Sequence, residues 1–446
     1  MSVNEHPADE LKARSKNMPV LVARVNLWGD LVGAVAWDDE RGFATFEYDP
    51  SFLRKQLEIA PFTMPLNSGI YSFPELNGKT FYGLPGLLAD SLPDRYGTRL
   101  IEVWLQRQGR SLNNFSPIER LCYMGSRGMG ALEFVPALVT PKKAARVEVS
   151  ELVALARKIL SDREDLLVNL SNDELTALDT IIRVGTSAGG ARAKAVIAWN
   201  PKTKDVRSGQ VQAPDGFEYW IIKFDGINDN TLGDPEGYGK IEYAYHLMAK
   251  AAGIEMTKCR LMKENGRAHF MTRRFDRTNN SGKIHMQSFC ALGHYDFKMP
   301  GQYGYETAMS TCQQLGLGQQ VLRQLFRRMV FNVIARNQDD HTRNIAFLMD
   351  RDGNWHLAPA FDVIWSYNSE GEWTNRHQMT INGKRDGFEK QDFIEVAKQF
   401  RIKKPMDILA DVSAAVRRWP DFAKEVGVKR NRMTEIASTH RLHLGP

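Results

Sequence analysis

The chain is poor in the features that mark several protein classes. Only four cysteines occur in 446 residues. Cys122, Cys259, Cys290 and Cys312 lie far apart, which excludes a disulfide-dense scaffold and paired CxxC metal or redox motifs. No apolar run approaches the roughly 18–20 residues of a membrane-spanning helix. The opening stretch MSVNEHPADELKARSKN is polar and charged, without the apolar centre of a secretory signal. The expected setting is therefore the cytoplasm, with no membrane partner. There is no low-complexity tract or internal repeat, and no helix-turn-helix, zinc-finger or RNP pattern that would predict autonomous DNA binding.

What remains is an ordinary globular composition, with 43% hydrophobic and 25% charged residues, long enough for two or three domains. The net charge of +6 favours polyanionic neighbours such as nucleotides, nucleic acid or acidic proteins.

Residues 21–49 alternate apolar and polar positions around turn signals at Gly29-Asp30 and Asp39–Gly42, which predicts a β-meander. A Pro/Gly-rich stretch leads into an amphipathic segment, Arg99–Gln108, and a linker is expected around 136–150. Helices are predicted from Ser150 to Ser161 and over Asn172–Arg183. Strands are expected over Ala193–Trp199 and Glu218–Phe224, a helix over Lys240–Ala252 and a hairpin over Met256–Arg274. From Tyr305 the pattern is mainly helical, broken by a polar loop and hairpin at Asn337–Asp362. A strand-rich region followed by a helical one is the outline of a two-lobed kinase.

Four segments carry candidate chemistry. In NQDDHTRN, Asp339 and Asn344 have the D-x-x-x-x-N spacing that lets one short loop aim a carboxylate at a substrate hydroxyl and an amide oxygen at a metal. His341 lies between them; the plain alternative is a solvated polar loop. In LAPAFDV, Asp362 ends an apolar strand where a second metal-binding carboxylate belongs, although such an Asp is also an everyday turn residue. Lys223 follows three large apolar residues, and a lysine there needs a partner. It suits ATP phosphates, with Glu242 as candidate ion pair, unless it faces outward on its strand. GTSAGGARAK at 185–194 is a small-residue loop fit to approach phosphate, with Arg192 and Lys194 adding charge, or else a flexible connection. Their order along the chain supports ATP-dependent phosphoryl transfer.

Together these stretches resemble the HipA family of toxin kinases. SAGGARAKA at 187–195, EYWIIKF at 218–224, EYAYHLMAKAAGI at 242–254, HFMTRRFDR at 269–277, DDHTRN at 339–344 and LAPAFDV at 357–363 carry the likeness, with Leu31–Asp49 and Phe81–Tyr96. The resemblance implies an α+β, two-lobed protein-kinase-like fold with a small β-rich N-terminal domain and a mainly helical C-terminal lobe. It divides the chain into a polar tail (1–19), a HipA-type N-terminal domain (20–140), a strand-rich ATP-binding region (150–303) and a helical lobe with catalytic loop and metal site (304–446). It implies a serine/threonine kinase using ATP and Mg2+, with Asp339 as base and Asn344 and Asp362 as magnesium ligands. Lys223 would bind ATP phosphate, and Gly189, Gly190, Ala191, Arg192, Ala193 and Lys194 would face the phosphates. His341, Thr342, Arg343 and Asn344 would line the nucleotide site, and Arg273, Arg274 and Phe275 would pass the adenine. Ser187, or the adjoining Thr186, falls at the family's autophosphorylation site, whose modification switches the kinase off. The implied partners are a HipB-like helix-turn-helix antitoxin, operator DNA mainly through that antitoxin, and a protein substrate such as glutamate–tRNA ligase. The competing readings are a small-molecule kinase and a catalytically weak kinase-fold partner of a DNA-binding antitoxin.

Overall fold

The computed structural model describes residues 20–139, 146–161, 192–227, 237–278 and 282–445. The expected meander forms: β1 (Val22–Leu27), β2 (Asp30–Asp38) and β3 (Phe43–Tyr48) pair antiparallel, and every second side chain turns inward. With β4 (Ile70–Ser72) and β5 (Leu132–Val135) they make a five-stranded sheet in the order β4-β3-β2-β1-β5. Between β4 and β5 runs helix α1 (Arg95–Gln106). It begins four residues before the amphipathic segment read from sequence, because the Asp94 side chain caps it, accepting from Gly97 N at 2.7 Å. Helix α2 (Pro117–Met124) starts at a capping box made by Ser116 and Glu119.

Helix α3 (Val149–Ser161) follows as predicted, while the helix expected over 172–183 lies outside the described residues. The second sheet comprises β6 (Lys194–Trp199), β7 (Val206–Ser208), β8 (Glu218–Lys223), β9 (Cys259–Glu264) and β10 (Arg267–Arg273), in the order β7-β6-β8-β10-β9. Helix α4 (Tyr238–Ala251) packs on it. Gly239 permits that contact, since a Cβ there would lie 2.0 Å from the Ala268 carbonyl oxygen. A three-stranded sheet, β11 (His285–Ser288), β12 (Ala346–Met349) and β13 (Trp355–Leu357), underlies the polar loop. Helices α5 (Tyr305–Gln314), α6 (Gln319–Ile334), α7 (Lys390–Gln399), α8 (Pro405–Arg417), α9 (Trp419–Val426) and α10 (Arg430–Thr439) complete the helical part.

Burial divides the chain differently from its sequence order. One core runs without a break from the first sheet (Val25, Val35, Phe46) through α4 (Tyr245, Met248) into α6 and α9 (Phe326, Met329, Trp419). A second core joins α1 (Leu100, Ile101, Leu105) and α3 (Val153, Ala156) to the second sheet (Ile197, Trp220, Ile222). Each fully buried large apolar side chain contributes about 1.5–3 kcal/mol. A buried ion cluster ties the Gly-rich turn to β10. Asp276 accepts from Arg274 Nη2 at 2.6 Å, Arg277 Nη1 at 2.8 Å and Gly130 N at 2.7 Å, while both arginines donate to the Gly128 carbonyl at 3.2 Å. The two guanidiniums outweigh the cost of burial and hold the Asp276 carboxyl far below its ordinary pKa.

Candidate functional site

Lys223 ends β8, opposite Lys194 on β6. Its ammonium reaches Glu242 Oε1 on α4 at 2.6 Å and also contacts Asp362 Oδ1. The pairing with Glu242 expected from sequence is therefore present. Burial alone would lower the Lys223 pKa, but the two carboxylates overcome it and raise it. Burial would likewise raise Asp362, and Lys223 outweighs it, holding that carboxyl down at about 2. Glu242 goes the other way: burial raises its pKa despite Lys223. Asp362 has φ of 54°, a left-handed conformation that few residues other than glycine adopt.

The polar loop follows α6. Trp373 donates its indole N–H to Asp339 Oδ1 at 2.6 Å, and His341 Nε2 lies 3.9 Å from the same oxygen. The Asp339 side chain keeps 39% of its surface accessible, so an acceptor can reach it. Burial of the carboxyl group raises its pKa, with His341 and Trp373 opposing and Asp362 and Asp340 adding to the rise. Asn344 donates its amide Nδ2 to the Asp339 carbonyl at 2.6 Å, which fixes the amide and leaves its Oδ1 as a cation donor. Thr342 is anchored by a hydrogen bond to Tyr295 O at 2.7 Å, and the Arg343 guanidinium stacks 4.6 Å from the Phe297 ring centre. The spaced Asp339 and Asn344 thus share one loop, and a β-bridge between Asn337 and Ser366 ties the start of that loop to the segment carrying Asp362.

Among the described residues no cluster of three or more His, Cys, Asp and Glu could hold a metal by itself. Magnesium does not need one, because it takes one or two carboxylates together with substrate phosphates and water. Asp362 and the free Asn344 amide oxygen are hard oxygen donors of the right kind.

The remaining expectations are placed as follows. Gly189, Gly190, Ala191 and Ser187, with Thr186, lie outside the described residues. Arg192 stacks 3.8 Å from the Tyr238 ring centre, and Ala193 is buried. Lys194 is 1% exposed and its ammonium meets Asp94 Oδ2, the α1 cap, at 2.5 Å. Burial pushes the Lys194 pKa down and the Asp94 pKa up, and the contact sets a residue of the first 100 positions against β6. Phe275 packs 5.6 Å from Phe361, beside Asp362. Arg273 lies 3.8 Å from Glu218. The Arg274 side chain is fully buried on Asp276 and Gly128, which leaves its backbone to border a nucleotide. Sequence reasoning missed Trp373 and Asp94 altogether, since neither stands in a spacing that signals a role.

Residues 186–439 match the HipA-like C-terminal domain, and residues 23–135 match the HipA N-terminal domain. The chain belongs to the HipA family. A solved structure of the Shewanella oneidensis MR-1 toxin–antitoxin system HipA, HipB and its operator DNA superposes with a TM-score of 0.67 at 16% identity, covering 93% of this chain and 94% of that one. That HipA likeness establishes the mixed α+β fold with its β-rich N-terminal part and helical C-terminal part. The Helicobacter pylori proinflammatory kinase CtkA matches at 14% identity over 58% of this chain and 91% of that chain, with a TM-score of 0.35, too loose a likeness to argue from. No curated protein matches the chain. No helix among the described residues is long and apolar enough to cross a membrane.

Proposed function

We propose that this HipA-family chain is an ATP-dependent protein kinase that transfers the γ-phosphate to a serine of another protein and acts as the toxin of an antitoxin-controlled pair. The observation that carries the reading is the pairing of Lys223 with Glu242 and Asp362, together with the Asp339–Asn344 loop whose start is bridged through Asn337 to Ser366, four positions past Asp362. Lys223 would bind ATP phosphate oxygens, and the backbone bordering Arg273 and Phe275 would flank the base. Asn344 and Asp362 would hold magnesium, which when bound neutralises charge on the β and γ oxygens. Asp339 would take the serine proton as the new O–P bond forms and the bond from the γ-phosphorus to the bridging oxygen breaks, leaving ADP. The Trp373 indole occupies Oδ1 and leaves Oδ2 for that proton.

The match of residues 23–135 to the HipA N-terminal domain supports a protein kinase of that family over a small-molecule kinase. The family match supports a HipB-like antitoxin as partner, with DNA reached through it. The test is incubation with labelled ATP and a cell lysate, with phosphosites mapped by mass spectrometry. Sites present with the wild type and absent with Asp339→Asn are expected. Asp339→Asn should slow transfer by about 10²–10⁴-fold, and Asp362→Asn should in addition weaken Mg-ATP binding. Unchanged transfer by Asp339→Asn refutes the base. Growth arrest on expression without an antitoxin, lost in Asp339→Asn at equal protein level, checks the toxin role.

A further inference from the structure

Directly behind the catalytic loop lies a buried polar chain that ends outside the matched family domain. Asp340, the neighbour of the base, is 3% exposed. Its Oδ2 accepts from the Tyr305 hydroxyl and from His377 Nδ1, each at 2.8 Å, and its Oδ1 accepts from Gln378 N at 2.8 Å. The far side of the His377 ring, Nε2, lies 3.0 Å from Arg441 Nη1. A guanidinium only donates, so Nε2 must be the acceptor and the ring proton must sit on Nδ1, aimed at Asp340. The Asp340 carboxylate, which only accepts, calls for the same tautomer, so Arg441 braces from behind a ring whose proton faces Asp340. The His377 ring is 0% exposed and the Arg441 side chain 6%, so water cannot replace either bond. Arg441 is itself held by Asp386 through Nη2, by Val333 O at 3.3 Å, and through its backbone N by Ile334 O at 2.9 Å. It stands two positions past residue 439, where the family match ends.

We infer that Arg441 and His377 are positioning residues for phosphoryl transfer: the C-terminal segment holds the His377 ring, His377 holds Asp340, and Asp340 holds the backbone from which the Asp339 carboxylate projects. The inference rests on the kinase reading. Loss of Arg441 leaves Nε2 without its donor and the ring without support from behind, so His377 no longer holds the Asp340 carboxylate in place. Asp340 then loses one of its three buried partners while the ATP side of the site, on β8 and α4, is untouched.

The test uses the full chain. Arg441→Met removes the donor and keeps an unbranched side chain of similar reach. The rate of labelled phosphate incorporation at saturating ATP should fall by about 10–100-fold, the scale of a misplaced reacting group. The ATP concentration for half-maximal rate should not change, and Arg441→Lys should recover part of the rate. In His377→Asn the amide N–H takes the place of Nδ1–H and needs nothing behind it, so adding Arg441→Met to that background should cost little further. Three results would overturn the inference: an unchanged rate, an equal loss of rate and ATP affinity, or a full Arg441→Met penalty in the His377→Asn background. If the wild type transfers no phosphate at all, the kinase reading fails separately. Amide exchange over residues 337–344 then decides the relay: faster exchange in Arg441→Met supports it, and identical exchange refutes it.

Discussion

Replacing Lys223 by Met tests the centre of the site through stability as well as activity. The wild-type ammonium stands between two carboxylates, Glu242 at 2.6 Å and Asp362. At 2.6 Å the gross attraction is about 6 kcal/mol for an effective dielectric of about 20. Desolvation offsets much of it, since Lys223 and Glu242 keep only 15% and 5% of their side-chain surface. Removing the cation leaves two buried anions facing each other, and breaking such a pair costs about 3–5 kcal/mol. Lys223→Met should therefore unfold at markedly lower urea concentration than wild type, measured without magnesium or nucleotide, and should not transfer phosphate. The double variant Lys223→Met/Glu242→Gln removes one of the two orphaned charges and should regain about 2 kcal/mol, while remaining inactive. The reasoning is refuted if Lys223→Met matches the wild type in urea, or if the double variant is no more stable than the single one.

Two further outcomes are expected. A phosphate on Ser187 would add roughly 1.5–2 negative charges to the Gly-rich loop and repel ATP. Ser187→Asp should thus bind ATP poorly and Ser187→Ala should bind it normally, and phosphopeptides confined to sites outside 185–194 would refute the switch. His285 is fully buried, with its pKa pushed down by burial from 6.5 to about 4. The unfolded chain takes up the proton first, so the stability this neutral ring contributes is complete above about pH 6.5 and is lost as pH falls toward 4, about 3 kcal/mol in all. Urea titrations at pH 7 and pH 4.5 should show His285→Gln losing less stability on acidification than wild type.

Local patterns made the first and second sheets and the catalytic loop legible. Alternation at residues 21–49 is enough to specify three strands with one buried face, and a lysine after Trp220, Ile221 and Ile222 demanded a carboxylate that Glu242 supplies. The D-x-x-x-x-N spacing is a property of one loop, so it too survives reading in one dimension. Contacts between distant segments do not. Asp94 and Lys194 are 100 positions apart, and Arg441 and His377 are 64 apart. Each looks by itself like an ordinary turn or surface residue, and only tertiary packing buries it beside its partner. Arg274 shows the same limit. Nothing local says whether an arginine at the end of a strand points at a ligand or, as here, into an internal ion cluster.

The unbroken core has a practical consequence for dissecting the protein. The family match divides the chain at residues 135 and 186, yet the packing has no seam there. Val25, Val35 and Phe46 share one interior with Tyr245, Met329 and Trp419, and α1 packs against the second sheet. A fragment cut at those boundaries would present raw apolar faces to water on both sides of the cut. Separating the roles of the two halves is therefore a task for point substitutions on surfaces, not for truncation, and a chimera that swaps the first 135 residues would have to bring a matched inner face with it.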